Sequence, residues 1–382
     1  MFENIDLIVV GSGLFGSVTA EQASRDGYRV AVVENRSHIG GNCYTEDDPT
    51  TGIHVHRHGP HIFHTSNENI WQYVNQFAKF NPFVLKAKAS IRGQMYSLPV
   101  NLETINKFGN KNWTPEQADR WLRLVRSQGK DNPANFEEQA IARVGQELYE
   151  AFYKGYTIKQ WGLDPKDLPA SVARRLPVRT NYDDRLYNDK YEAIPENGYV
   201  EIFENMLSHK NIQLYLNTDW FAVKEQRKAN QLVVYTGPID RYFNYQFGRL
   251  GWRTLDFEWQ VHNTGDYQGV CQVNYPELSV PYTRIIEHRY FHPGRNYDNS
   301  RTIIHREYSR LATEKDVPYY PVNTVEDQAR YNQYRDLAEQ EPSVVFGGRL
   351  GEYKYYDMHQ VIGSALSTYS KQIKTALTNQ NI

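Results

Sequence analysis

Residues 5 to 42 constrain this chain more than any other stretch. An apolar run, Ile5-Asp6-Leu7-Ile8-Val9-Val10, leads into Gly11-Ser12-Gly13-Leu14-Phe15-Gly16. A helix-like stretch follows, then Arg29-Val30-Ala31-Val32-Val33, ending at Glu34 with Asn35 beside it. Strand, glycine turn, helix, strand and terminal acid is the order that a dinucleotide-binding βαβ unit requires. Gly11 permits the tight turn off the strand. Gly13 removes a Cβ where a pyrophosphate approaches the backbone, and Gly16 lets the helix pack close to the strand. The helix N-terminus, at Ser12 to Phe15, then offers free N–H groups and a positive dipole end to phosphates. Glu34 is placed to hydrogen-bond a ribose hydroxyl.

That turn alone does not separate NAD from FAD. Gly40-Gly41-Asn42, six residues beyond Glu34, resembles the second glycine pair of glutathione-reductase-like FAD domains. The chain end points the same way. Val344-Val345-Phe346-Gly347-Gly348-Arg349 reads as a strand and glycine turn, and Asp357-Met358 opens a helical stretch, as in folds that return late to cover a flavin. Val233-Val234-Tyr235-Thr236-Gly237-Pro238 reads as another strand end returning to the same sheet. FAD is therefore the expected cofactor. The expected fold class is α/β: a Rossmann-like, glutathione-reductase-like FAD-binding domain with an inserted helical domain and an antiparallel β-sheet domain.

The rest of the chain divides by its periodicity. Asn67 precedes a helical stripe of Ile70, Trp71, Val74 and Phe77. Thr114-Pro115-Glu116-Gln117 offers an N-cap, a proline at the first helical position and a capping-box glutamine. Asn135 with Glu138 suggests another helix start, striped by Ile141, Val144, Leu148 and Phe152. From about residue 212 alternation dominates, in Ile212–Leu216, Thr254–Trp259, Gly269–Val273 and Arg301–His305, which suggests an antiparallel sheet. The expected division is a discontinuous FAD domain (1–80, 190–245, 318–382), a mainly helical insertion (81–189) and an antiparallel sheet (246–317).

Composition excludes some functions. Of 382 residues 40% are hydrophobic and 23% charged, with a net charge of −2, so nothing global attracts nucleic acid or an anionic membrane. No apolar run approaches the roughly 20 residues that span a bilayer. No leader-like segment precedes the first strand, so a cytoplasmic location is expected. Cys43 and Cys271 offer neither a disulfide framework nor a Cys-x-x-Cys pair. His54, His56 and His58 alternate as on one strand face, but no cysteine or carboxylate cluster accompanies them and no metal is expected.

Several longer motifs resemble bacterial UDP-galactopyranose mutases. They are Gly59-Pro60-His61-Ile62-Phe63-His64-Thr65, Lys154-Gly155-Tyr156-Thr157-Ile158-Lys159-Gln160-Trp161, Arg174-Arg175-Leu176-Pro177-Val178-Arg179, Val280-Pro281-Tyr282-Thr283-Arg284-Ile285-Ile286-Glu287-His288, Pro318-Tyr319-Tyr320-Pro321-Val322-Asn323 and Gly347 through Met358. The resemblance runs over essentially the whole chain in order. It implies an isomerase that interconverts UDP-galactopyranose and UDP-galactofuranose with no net redox change. It also implies a requirement for reduced FAD, whose N5 acts as a covalent nucleophile at the anomeric carbon, and a homodimer. The amine-oxidase-like flavin oxidoreductases and a mutase acting on UDP-N-acetylgalactosamine remain as alternatives.

The same resemblance assigns residues. Arg175 and Arg284 match diphosphate-binding arginines, whose planar forks suit phosphate. Tyr320 and Tyr355 match tyrosines that donate to the same phosphates, with Tyr355 also at the cofactor. Phe152, Tyr156, Thr157 and Trp161 match the uridine side, with residues 162–168 as a mobile loop. Arg253 and Asn274 match polar cleft positions. His61 is expected beside the flavin ring and His64 beside the substrate; with the two arginines they are the candidate catalytic residues. Gly11, Ser12, Gly13, Phe15, Gly16, Glu34, Asn35, Gly41, Asn42, His61, Thr236, Arg349, Tyr355, Asp357 and Met358 are the candidate cofactor residues. The chain departs from the family at Leu186, where a tyrosine is usual, and at Leu85, where some members carry asparagine.

Overall fold

A computed structural model of the chain describes residues 1–127, 129–130, 132–173, 177–229 and 231–380. Arg175, a candidate diphosphate ligand, lies outside the described residues.

The first apolar run is the strand Leu7–Val10, at the centre of a five-stranded parallel sheet. Across that sheet the order is Ile212–Tyr215, Val30–Val33, Leu7–Val10, Leu232–Tyr235 and Val344–Phe346, each pair parallel. The three central strands are buried at every residue. Both of their faces are covered, which is why they read as continuous Val/Ile/Leu runs and not as alternation. One face packs against the helices Leu14–Arg25, Val200–Leu207 and Met358–Thr368 through Val18, Phe203 and Ile362. The other packs against Phe2 and Trp220. This is the expected Rossmann-like core, assembled from separated pieces of chain.

One strand of the expected FAD domain pairs differently from its sequence pattern. Ile212–Leu216 reads as part of the antiparallel sheet, but Ile212–Tyr215 pairs parallel with Val30–Val33 as an edge of the central sheet. Its four residues are half-buried or exposed, as on an edge strand, and alternation in sequence does not report the direction of a strand's neighbours.

The second sheet has seven strands, in the order Tyr320–Pro321, Trp252–His262, Thr302–Leu311, Arg284–Glu287, Gln272–Asn274, Ala87–Ile91 and Gln94–Leu98. It is antiparallel except where Gln272–Asn274 runs parallel to Ala87–Ile91. The stretch expected to be mainly helical thus opens with two strands of this sheet. It continues with the helices Leu102–Phe108, Pro115–Ser127, Phe136–Val144 and Gly155–Trp161, and a π-helical turn over Tyr149–Lys154. The capping signals act as the sequence suggests. Asn67 Oδ1 accepts from Ile70 N at 3.2 Å, Asn135 Oδ1 accepts from Glu138 N at 3.0 Å, and Thr114 and Gln117 cap each other reciprocally. No helix among the described residues is long and apolar enough to cross a membrane.

Candidate active site

The glycine turn has the tightness that the motif requires. Gly11 adopts φ +101°, and a Cβ there would lie 2.2 Å from Thr236 Oγ1; a Cβ on Gly16 would lie 2.0 Å from Gly11 O. Gly13 differs: nothing lies within 4 Å of its ideal Cβ. Gly13 is also the N-cap of Leu14–Arg25, and no side chain caps that helix end. Free N–H groups therefore face open space, the arrangement that suits a phosphate.

Glu34 is buried at the end of its strand. It accepts from Ser12 N at 2.8 Å, Ser12 Oγ at 2.7 Å and Arg36 N at 2.9 Å. These bonds hold the acid against the turn that it serves.

A cavity of ≈ 300 Å³ opens at the carboxyl ends of the central strands, the usual ligand position in such sheets. Gly11, Gly13, Phe15, Glu34, Asn35, Gly41 and Asn42 line one part of it, and His61, Thr236, Arg349 and Met358 another. Ser12, Gly16, Tyr355 and Asp357 lie outside its wall. Ser12 and Gly16 shape the turn, and Asp357 caps Met358–Thr368 through a capping box with Gln360. Arg36, Trp220, Phe221 and Arg241 also line the cavity and escaped the sequence reading. Arg36 carried a signal, two positions after Glu34; the other three lie in the short helices Trp220–Val223 and Ile239–Tyr242 and carried none. Cys43 lines the wall as well, and burial pushes its thiol up to about 12, so it stands there as an inert thiol. The open Gly13 cradle, the uncapped helix N-terminus and the buried Glu34 fit the diphosphate and ribose of FAD.

His61 sits at this cavity. Its Nδ1 donates to Gly59 O at 2.8 Å, which leaves Nε2 as the acceptor nitrogen. Desolvation, with the cations Arg349 and Arg284 nearby, brings its pKa down to about 4, so the ring is neutral at physiological pH.

Arg284 lies on the seven-stranded sheet, paired in register with Asn274 on one side and Glu307 on the other. Its Nε donates to Glu307 Oε2 at 2.6 Å; Glu307 is only 1% exposed. Burial opposes charge on both groups. Their mutual attraction outweighs it, raising the arginine and lowering the glutamate from their ordinary values. A line of histidines backs the pair. His305 Nε2 donates to Glu307 Oε1 at 3.0 Å, His288 Nε2 donates to His305 Nδ1 at 2.8 Å, and His56 N donates to His288 Nδ1 at 3.3 Å. The backbone donor at one end and the carboxylate at the other fix every tautomer in this line.

Aromatic side chains join Arg284 to the cofactor end. Tyr320 stacks on Tyr355 at 5.7 Å, Arg349 lies 5.1 Å over Tyr355, and Trp161 lies 6.3 Å from Tyr320. Burial raises the hydroxyl pKa values of Tyr156 and Tyr320, and Arg284 tempers both, which places the two hydroxyls within its field. Thr157 is buried on the same helix as Tyr156 and Trp161.

Other candidates stand differently. Phe152 is 4% exposed, edge-on to Tyr96 and Phe108 at 5.4 Å each, so it packs in the core of the helical region. Arg253 is 5% exposed and donates to the carbonyls of Gln160 at 3.0 Å and Lys159 at 3.3 Å, closing the end of Gly155–Trp161. Asn274 accepts from Gln272 Nε2 at 2.9 Å. His64 is outside the cofactor wall; it donates to Asp189 at 2.6 Å and stacks on Tyr187 at 3.8 Å. Tyr187 in turn lies within the fields of Tyr355, Asp357 and Arg284. It is one residue beyond Leu186, so an aromatic hydroxyl is present although the expected position lacks it. Leu85 is buried with Ile62, Ile194 and Phe291, and Leu186 packs on this cluster. Residues 162–168 form a turn that begins at left-handed Gly162 and includes the short helix Pro165–Asp167. Among the described residues no group of histidines, cysteines and carboxylates could hold a metal ion.

Comparison with known proteins adds to this geometry. A family model described as UDP-galactopyranose mutase matches residues 151–355, and one described as an NAD(P)-binding Rossmann-like domain matches residues 9–77. The chain is 45% identical to a protein of Klebsiella pneumoniae named a probable UDP-galactopyranose mutase, over 99% of this chain and 97% of that one. It is 42% identical to a dTDP-fucopyranose mutase of Escherichia coli, over 96% and 98%. A crystal structure of a reduced UDP-galactopyranose mutase superposes with a TM-score of 0.76 at 13% identity, covering 98% of this chain and 96% of that one, and so shares the fold.

Proposed function

The chain belongs to the UDP-galactopyranose mutase family, and on that premise we propose that it interconverts UDP-galactopyranose and UDP-galactofuranose with reduced FAD. The observation that carries this reading is Arg284. Its guanidinium is tethered through Nε to buried Glu307, and its charge acts both on Tyr156 of the Gly155–Trp161 helix and on His61, which lines the cavity that fits FAD.

Ring contraction of a nucleotide sugar needs a leaving diphosphate that stays bound while the sugar rearranges. When bound, reduced FAD supplies the nucleophile at the anomeric carbon and undergoes no net redox change. The protein holds the detached UDP. Arg284, joined by Arg175, neutralises the diphosphate, and the Tyr320 and Tyr355 hydroxyls donate to it. Tyr156 and Trp161 retain the uridine. Neutral His61, locked by Gly59 O, borders the cofactor and adds no charge there.

One observation favours a second reading. Leu85 and Leu186 make the wall behind Tyr187 apolar, and the dTDP-fucopyranose mutase is almost as similar as the galactose relative. Sugar preference is therefore tested in the same assay. The purified protein is reduced with dithionite, given UDP-galactofuranose, and the products are separated by chromatography, with dTDP-fucopyranose and UDP-N-acetylgalactopyranose as competing substrates. UDP-galactopyranose formed by the reduced but not the oxidised protein supports the reading; none formed by either refutes it.

A further inference from the structure

The helix that carries Tyr156, Thr157 and Trp161 meets the segment leading into Arg284 at a side chain with no role so far. Lys159 Nζ lies within hydrogen-bond distance of four backbone carbonyls of that segment, so that its three N–H groups must share: Tyr275 at 2.5 Å, Glu277 at 3.0 Å, Val280 at 2.9 Å and Tyr282 at 2.9 Å. A surface lysine ordinarily extends into water with its three N–H groups solvated. Here four acceptors converge on one ammonium. A neutral amine would have two N–H groups and would turn a lone pair toward a carbonyl.

The gathered segment is irregular, and its internal backbone bonds are few: Tyr275 N to Thr283 O at 2.9 Å and Val280 N to Glu277 O at 3.2 Å. Arg284 follows it after Thr283. The two sides are also in close contact, since a Cβ on Gly155 would lie 2.3 Å from Pro276 O. The last carbonyls of the helix, those of Lys159 and Gln160, are held from the other side, by Arg253 and by Ser309 Oγ, which donates to Gln160 O at 2.6 Å. Lys159 is thus the polar link between the helix with the uridine-side aromatics and the segment that delivers the diphosphate cation.

We propose that Lys159 is a positioning residue for nucleotide binding: its ammonium gathers the 275–282 carbonyls and so sets the separation between Tyr156 and Trp161 on one side and Arg284 on the other. It touches neither cofactor nor sugar. The proposal rests on the nucleotide-sugar reading given above, and its signature is a loss of nucleotide affinity with the chemistry at saturation preserved.

The test uses oxidised holoprotein and UDP alone as the probe, titrated by calorimetry. The variants are Lys159→Met and Lys159→Cys, the latter before and after alkylation with 2-bromoethylamine, which rebuilds an ammonium on a chain of similar length. Cys43 and Cys271 are buried and do not compete for the reagent. Lys159→Met and unalkylated Lys159→Cys are expected to weaken UDP binding about tenfold or more. Alkylated Lys159→Cys should return to within about threefold of wild type, and kcat of all forms should stay within about threefold. Unchanged UDP affinity in Lys159→Met overturns the proposal. So does a loss that aminoethylation does not recover, or one matched by an equal loss of kcat. Wild-type protein that bound no UDP would instead refute the nucleotide reading itself, and this proposal with it.

Discussion

Glu307→Gln perturbs the centre of the site with almost no change in shape. The wild-type carboxylate takes a proton donor on each oxygen, from Arg284 Nε at 2.6 Å and His305 Nε2 at 3.0 Å. An amide can serve one of these as acceptor and must present N–H groups to the other. If its oxygen stays with Arg284, its NH₂ faces His305 Nε2, and His305 must move its proton to Nδ1. That proton then confronts His288 Nε2, so His288 must carry its proton on Nδ1, facing His56 N. The line cannot be reversed, because a backbone N–H has no other form. One donor–donor contact results in a region where Glu307, His305 and His288 are at most 1% exposed. Breaking a buried ion pair costs about 3–5 kcal/mol, a range that already contains the orphaned hydrogen bond. Unfolding entropy grows with chain length, so each kcal/mol moves Tm by only about 1.2 °C here, and Tm should fall by about 5 °C, while the protein remains folded.

The pH dependence follows from the sign of the shift. Glu307 is held below its ordinary 4.5 because Arg284 and His305 overcome desolvation. Its contribution is therefore complete above that value and is lost as pH falls through the lower folded-state pKa. Melting curves of wild type and Glu307→Gln should differ most near neutrality and converge in acid. A Tm within about 2 °C of wild type at neutral pH, with turnover intact, would refute the reasoning.

The glycine turn can be tested at two positions that differ in space. Gly13→Ala meets no atom within 4 Å and keeps a permitted φ of −73°, so the apoprotein should melt as wild type yet lose flavin. Gly16→Ala puts a methyl 2.0 Å from Gly11 O and should fail to accumulate as folded protein; flavin content and apoprotein Tm of both variants check this pair. His61, brought down to about 4 by burial, should show no imidazole titration by NMR between about pH 5 and 8, and a midpoint near its ordinary 6.5 would contradict the neutral assignment. Trp161→Ala should raise KM for the nucleotide sugar by about tenfold with little change in kcat, and an unchanged KM would remove Trp161 from substrate retention.

How much of this was legible in the sequence depended on how local each requirement is. Gly11, Gly13, Gly16 and Glu34 could be read because each answers a constraint set within 30 residues of chain. Asn67, Thr114 and Asn135 could be read as caps for the same reason. Ile212–Tyr215 was read as antiparallel because pairing direction is set by Val30–Val33, far away in sequence. Phe152 and Arg253 matched by position, yet their environments come from packing: Phe152 meets Tyr96 and Phe108, and Arg253 is taken by the end of a neighbouring helix. The Glu307–His305–His288 line left no sequence signal, because it exists only in the register of adjacent strands. Tyr187 was visible in the sequence as a tyrosine beside Leu186, but only packing shows that its ring lies against His64.

The central claim is that the cofactor held at Gly13 takes part in sugar rearrangement while its redox state is left unchanged. Turnovers per flavin test this most directly. The holoprotein is reduced anaerobically, excess reductant is removed, and UDP-galactofuranose is added in large excess while the visible flavin absorbance is followed. The account predicts many molecules of UDP-galactopyranose per flavin, with the absorbance staying bleached throughout. Product limited to one equivalent per flavin, or formed in step with the return of the oxidised spectrum, would contradict it.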